Sequence, residues 1–290
     1  MNDHQINDEK ADRLLRENKQ QEHIRDYSDP EKHYVRRDIW APAASSRLQK
    51  LTGADRRLKY FTLCAEKAID VHYFGIHNLI EENDGRGYPS VAFCECFPDQ
   101  YENIAANLGR TRGFLSKFED LVLNRETDES KSFYSELPFD VYNLDFTGVC
   151  FPRGDSPFSN TLAAIVALIE ELAKEKHRGG FEMFLTFRAK RSEENEEAIN
   201  ELRRNLRDNR NQYAWYDQAF QKKYGSEGQL LQSRYHEFLL CALPKLIGRF
   251  GKQAGFRVSC PYSLYYARPN NQNPDYYIIS FVLSLLLVRS

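Results

Sequence analysis

The sequence has no Cys-x-x-Cys pair, and its six cysteines, Cys64, Cys94, Cys96, Cys150, Cys241 and Cys260, are irregularly spaced. That leaves out the usual zinc-finger and redox patterns. Most of these cysteines sit in apolar runs and are expected as small buried hydrophobes in a reducing compartment. Cys94 and Cys96 would share one face of a strand, but no adjacent histidine supports a metal there, and none is expected. The N-terminus lacks the apolar core of a signal peptide, so the expected location is cytoplasmic. No apolar run is long enough for a membrane-spanning helix, so no membrane is expected. The last one, Tyr276 to Val288, is short and rich in Val, Ile, Phe and Tyr, and reads as a core strand. The charge is nearly balanced, at a formal net of -2, so a polyanion would need a local basic patch rather than a global field.

What is present is an ordinary globular composition, with 41% apolar and 28% charged residues over 290 positions. Residues 1–59 read as a charged, helical N-terminal arm. Within it, Arg47, Lys50, Arg56, Arg57 and Lys59 mark a solvated or phosphate-contacting face. From residue 60 onward, β-rich runs alternate with helical ones. Tyr60 to Cys64 is a strand-entry piece, Ile69 to Phe74 reads as the first full strand, and a helix follows over Ile76 to Glu82. Val91 to Cys94 is a buried strand ending at Glu95, with a helix from Asp99 to Leu108 closed by Gly109. Gly113 to Leu115, Phe139 to Phe146 and Phe181 to Phe187 supply the next strands. The clearest helix lies between the last two, from Thr161 to Lys176. A charged helical insertion occupies about 192–228, followed by a helix over Leu230 to Phe250 kinked at Pro244. Phe256 to Ala267 and Tyr276 to Leu287 have no room for a helix between them and should pair as an antiparallel hairpin. The expected fold is α/β and Rossmann-like: a mostly parallel seven-stranded sheet, residues 60–290, with a C-terminal antiparallel hairpin and a helical insertion.

Ligands of such sheets bind outside the carboxyl ends of the strands, where a carboxylate can hold a ribose hydroxyl pair. Glu95 stands at such an end. Five strands plus a closing hairpin resemble the fold of class I S-adenosylmethionine-dependent methyltransferases. That resemblance implies S-adenosylmethionine as cofactor. Glu95 stands at the ribose station, Phe118 and Glu119 at the adenine station, and Gly75 in the glycine loop after the first strand. It also places Asn143-Leu144-Asp145-Phe146 at the catalytic station of nucleic-acid amino-methyltransferases, with Asn143 and Asp145 near the acceptor. A carboxylate or amide there accepts a hydrogen bond from an exocyclic amine, while the transfer itself is served chiefly by alignment.

The glycine-loop station reads Phe74-Gly75-Ile76-His77-Asn78, with a single glycine, and the catalytic station lacks consecutive prolines. Two functions therefore stand side by side. One is a divergent methyltransferase acting on nucleic acid or another polar substrate. The other is a non-catalytic, pseudoenzyme-like subunit, its ligand loop filled by Ile76 and His77, that serves as a scaffold for a protein partner. Arg203, Arg204, Arg207 and Arg210, followed by Tyr213, Trp215 and Tyr216, form a candidate nucleic-acid surface. Glu194, Glu196, Glu197 and Glu201 just before them favour a salt-bridged, solvated helix over that surface.

Overall fold

The structure, a computed structural model, describes residues 30–51, 57–83, 85–154, 159–174, 180–267 and 276–288. The first 29 residues of the expected arm lie outside them. The strands are β1 (Tyr60–Thr62), β2 (Val91–Glu95), β3 (Arg112–Leu115), β4 (Val141–Asp145), β5 (Phe181–Ala189), β6 (Phe256–Tyr266) and β7 (Tyr277–Leu287). They form one seven-stranded mixed sheet in the order β3-β2-β1-β4-β5-β7-β6. β1 pairs in parallel with β2 and β4, and β2 with β3. β7 runs antiparallel to both β5 and β6, which is the expected closing hairpin. The chain divides into two compact units, one ending at Leu144 and the other beginning at Asp145.

In the first unit, α1 (Pro30–Val35), a π-helical turn (Arg36–Trp40) and α2 (Ala41–Gln49) follow one another. They bury Val35, Ile39, Trp40, Ala43 and Ala44. Arg47 on α2 is not part of a solvated face. It is 1% exposed and its Nη2 lies 3.1 Å from Asp140 Oδ1. Asp140 in turn accepts the backbone N–H of Lys59.

The chain continues through α3 (Ile69–Ile76), α4 (Pro98–Leu108), α5 (Phe118–Leu123) and α6 (Asp128–Glu136). The expected strand over Ile69 to Phe74 is thus a helix, and Tyr60–Thr62 is the first strand. Val71, Tyr73, Phe74 and Gly75 are all buried on α3. A short helix enclosed on nearly every side loses the apolar-polar alternation that marks a surface helix, and its β-branched and aromatic residues then imitate a strand. The expected helix over Ile76 to Glu82 is a turn. Aromatic rings fill the space between the elements: Phe61 lies 5.2 Å from Phe133 and 5.6 Å from Phe139, centroid to centroid.

In the second unit, α7 (Asn160–Lys174) buries Leu162, Ile165, Leu168, Ile169 and Leu172, as its spacing predicts. Ser159 caps it, its Oγ accepting the Leu162 N–H at 3.2 Å. The insertion consists of α8 (Glu196–Gln212) and α9 (Ala214–Tyr224). The expected helix over Leu230 to Phe250 is two helices, α10 (Glu227–Ser233) and α11 (Tyr235–Gln253), and Pro244 sits within α11 without ending it. Among the described residues, no helix is long and apolar enough to cross a membrane.

Removing one partner of a buried ion pair strands the other charge and costs about 3–5 kcal/mol. Arg47→Ala is therefore expected to lower the free energy of unfolding by that amount, read from the urea midpoint. A loss below about 1 kcal/mol would show that water reaches Asp140.

Candidate functional site

Within the first unit, the chain runs from β1 outward to β2 and β3, then returns to β4 on the other side of β1. The carboxyl ends of β1 and β4 therefore flank the point where strand order reverses, the place where such sheets open a ligand crevice. Directly behind it lies a buried polar cluster. Asp70 Oδ2, on the first turn of α3, accepts from Tyr60 Oη at 2.6 Å, Thr62 Oγ1 at 2.8 Å and Asn143 Nδ2 at 3.0 Å. Asp70 is 5% exposed, and the other three are at most 1% exposed. Burial, then the Asp70 charge, drives the Tyr60 phenol well above its ordinary value, so it stays a donor. Asn143 is a structural member of this cluster. Its amide nitrogen is committed to Asp70 and Tyr60, while its Oδ1 is buried without a hydrogen-bond partner among the described residues.

The loop that follows β1 is Leu63 to Ala68, which holds no glycine. Its backbone is tied down: the Leu63 N–H donates to the Asn143 carbonyl at 3.0 Å, and Asn107 Nδ2 donates to the Glu66 carbonyl at 2.8 Å. Ala68 closes the loop in the left-handed region, with φ +42°, at a cost on the order of 1 kcal/mol. Gly75 is not part of it. The residue lies in the last turn of α3, where an added Cβ would stand 2.7 Å from Tyr88 Cε1. Close packing of the Tyr88 ring, whose hydroxyl meets His72 Nδ1 at 2.8 Å, is what requires a glycine there.

Glu95 is where the sequence puts it, half-buried at the end of β2. Its Oε1 accepts the backbone N–H groups of Cys96 at 2.6 Å and Phe97 at 2.8 Å, which fixes the carboxylate as the chain turns into α4 at Pro98. The structure brings Glu119, on α5, into the same neighbourhood. The charges of Glu95 and Glu119 both help raise the Cys94 thiol above its ordinary value, after burial as the main cause. Cys64 is likewise held well above by burial, with smaller contributions from Asp70 and Glu95. This end of the first unit is therefore acidic and lined with un-ionised thiols. Phe118 differs from expectation in its exposure: at 3% it belongs to the core, its ring 6.2 Å from Phe61.

In the second unit, Asp145 is half-buried at its start, and Phe146 stacks on Phe187 at 5.1 Å with planes 9° apart. One acid of the glutamate run that suits a solvated helix is buried instead. Glu194 is 1% exposed and follows the 3-10 turn Arg191–Glu193 after β5. Its Oε2 accepts the Phe151 N–H at 3.0 Å. The buried Tyr235 hydroxyl stands beside the same carboxyl, and the two groups shift each other's proton affinity. Burial pushes the Glu194 carboxyl up to about 8, so it is largely protonated at neutral pH.

The four arginines of the insertion each meet a carboxylate: Arg203 and Arg207 meet Glu227, Arg204 meets Glu201, and Arg210 meets Asp217. Among the described residues, no group of three His, Cys, Asp or Glu stands together to hold a metal ion. Asp70, Tyr60, Thr62 and Glu194 are the residues sequence reasoning missed. The one available signal for Asp70 was an acidic residue inside an otherwise apolar run.

No protein-family model and no curated protein matches the sequence. Among solved structures, the chain is similar to Pyrococcus horikoshii TYW2 in complex with MeSAdo, at 8% identity and a TM-score of 0.37 over 84% of this chain and 62% of that one. It is also similar to wild-type Trm5b from Pyrococcus abyssi, at 10% identity and a TM-score of 0.39 over 83% of this chain and 48% of that one. A third is the plantazolicin methyltransferase BamL in complex with a triazolic desmethylPZN analog and SAH, at 10% identity and a TM-score of 0.37, covering 89% and 92%. The chain spans less than two thirds of the length of the two archaeal proteins.

Two measurements check this placement. Phe118→Ala empties a core position and is expected to cost about 3–5 kcal/mol in urea unfolding. A loss under about 1 kcal/mol would mean that the ring is not packed. For Glu194, the native carboxyl holds its proton up to about pH 8, whereas the unfolded one releases it near 4. Its stabilising contribution is thus complete below about pH 4 and declines through pH 8, by at most about 1.4 kcal/mol per pH unit. Glu194→Gln should remove that decline, so the stabilities of the two proteins diverge in the variant's favour as pH rises. Parallel curves would refute the assignment.

Proposed function

We propose that the first unit binds S-adenosylmethionine at the carboxyl ends of β1 and β2 and that the chain is a divergent methyltransferase, acting on nucleic acid or another polar substrate. The observation that carries this reading is the state of Glu95. The backbone N–H groups of Cys96 and Phe97 anchor one oxygen and the Cys96 thiol also meets the carboxylate, so the group is held in place at the carboxyl end of β2, oriented to accept ribose hydroxyls without prior reorganisation. The sulfonium and amino groups of the cofactor are cationic, and Asp70, Glu95 and Glu119 make this end of the unit acidic. Glu119 would accept from the adenine amino group. The cofactor supplies an electrophilic methyl; the chain's part is to hold donor and acceptor in line and keep water away. Asp145 at the end of β4 is the residue proposed to receive a hydrogen bond from the acceptor amine.

A second reading, a non-catalytic scaffold on the same fold, is favoured by the loop after β1. It has no glycine, its backbone is tied to Asn143 and Asn107, and Phe118 is withdrawn into the core. In this reading the loop's own side chains, Cys64 among them, take the place of the cofactor.

Isothermal titration calorimetry separates the two. S-adenosylmethionine and S-adenosylhomocysteine should bind the wild type, and Glu95→Ala should weaken both by about tenfold or more, the loss of hydrogen bonds to a charged group. Absence of heat with either ligand at millimolar concentration would remove the methyltransferase reading and leave the scaffold.

A further inference from the structure

A second feature, wholly within the second unit, is a groove of about 790 Å³ between the insertion helices α8 and α9, helix α11 and strand β6. Its walls carry Lys223, Lys245, Arg249 and Lys252 against one carboxylate, Asp208. Among the described residues, Lys223, Lys245 and Lys252 have no carboxylate partner, and Arg249 has only Glu201 at 3.7 Å. This contrasts with Arg203, Arg204, Arg207 and Arg210, whose charges are already balanced. Aromatic rings stand among the cations: Lys245 Nζ lies 3.9 Å from the centre of the Tyr216 ring, and Lys223 Nζ lies 4.8 Å from that of Tyr224. Beside Tyr216, Trp215 is 70% exposed and Tyr213 42%, with centroids 6.3 Å apart. At the wall, Asn205 is 4% exposed and its Nδ2 lacks an acceptor.

Large exposed aromatics are costly in water unless they serve contact, and surplus lysines beside them call for an anion. An acidic peptide would satisfy the charge but gains little from a row of flat rings. Unpaired bases satisfy both, because each offers a face to stack while its phosphate meets a cation; bases within a duplex are already stacked. We infer that this groove binds single-stranded nucleic acid, with phosphates on Lys223, Lys245, Arg249 and Lys252 and bases stacked on Tyr213, Trp215 and Tyr216. Half-burial already holds the Lys245 ammonium below its ordinary value, and a phosphate would replace the water it has lost. Such a strand would be the substrate class of the proposed methyltransferase, and to that extent the assignment rests on that reading. Binding itself requires no cofactor.

The test uses the full chain without cofactor and a fluorescein-labelled oligo-U of about twelve nucleotides, followed by anisotropy. Trp215 serves as an internal probe, since Trp40 is 1% exposed. Micromolar binding is expected, with tryptophan quenching. The logarithm of affinity should fall with that of salt at a slope of about -3, for four phosphate contacts at roughly 0.7 each. Lys223→Glu with Lys252→Glu, both at exposed positions, should weaken binding at least about tenfold, and Trp215→Ala by about tenfold. Circular dichroism confirms that each variant is folded. No binding at 50 mM salt, equal affinity for a duplex of the same length, equal affinity for poly-glutamate, or indifference to the double charge reversal would each overturn the assignment. Calorimetry with S-adenosylmethionine keeps the two readings apart: a double variant that binds cofactor but has lost the oligonucleotide supports the groove, whereas a wild type that binds the oligonucleotide without any cofactor heat refutes only the methyltransferase.

Discussion

One carboxylate oxygen, Asp70 Oδ2, holds the centre of the first unit in register. Donors reach it from β1 twice and from β4 once, across up to 73 residues of sequence. A buried carboxylate is tolerated only where donors surround it, so the four side chains form a group in which each depends on the others. Because the group fixes the ends of β1 and β4 and the start of α3, it also fixes the loop from Leu63 to Ala68. Whatever occupies the crevice meets a backbone whose position is set from behind.

The same logic of committed and uncommitted polar atoms separates the candidate residues. Asp70 Oδ2 takes three donors within the unit, one of them Asn143 Nδ2, and Arg47 meets Asp140. Glu95 is held by the Cys96 and Phe97 backbone N–H groups and the Cys96 thiol, yet stays half-buried at the strand end. Glu194 has the Phe151 N–H on one oxygen and the Tyr235 hydroxyl beside it, and burial keeps its proton on. On the second unit, the lysines around Tyr216 remain uncompensated, while the arginines one helix away are balanced by Glu201, Asp217 and Glu227.

Much of the sheet was legible in the sequence, since β2, β4, β5 and β7 are long apolar runs bounded by turn residues, and the hairpin follows from the short connection between its strands. Glu95 was legible for the same reason, as the first charge after a buried strand. Ile69 to Phe74 was not, because a helix buried on all sides shows no periodicity. Nor was the role of Asn143, which depends on Tyr60 and Asp70 far along the chain. Glu194 looked like one of several glutamates in a charge run, and only the fold puts it under Phe151 while its neighbours stay in solvent. For the insertion, local spacing located the aromatic rings, but it could not reveal that Glu227 returns to neutralise Arg203 and Arg207.

The ion pair between Arg47 and Asp140 spans 93 residues, and Asp140 adjoins the last strand of its unit. As a nascent chain, the protein exposes α1, α2, β1, β2 and β3 before β4, the neighbour of β1, exists. Closure of so long a loop is slow compared with local helix formation. Arg47 on α2 must therefore wait for Asp140 until the start of β4 leaves the ribosome. During synthesis the first unit is consequently most vulnerable to chaperone capture and proteolysis just before it becomes complete.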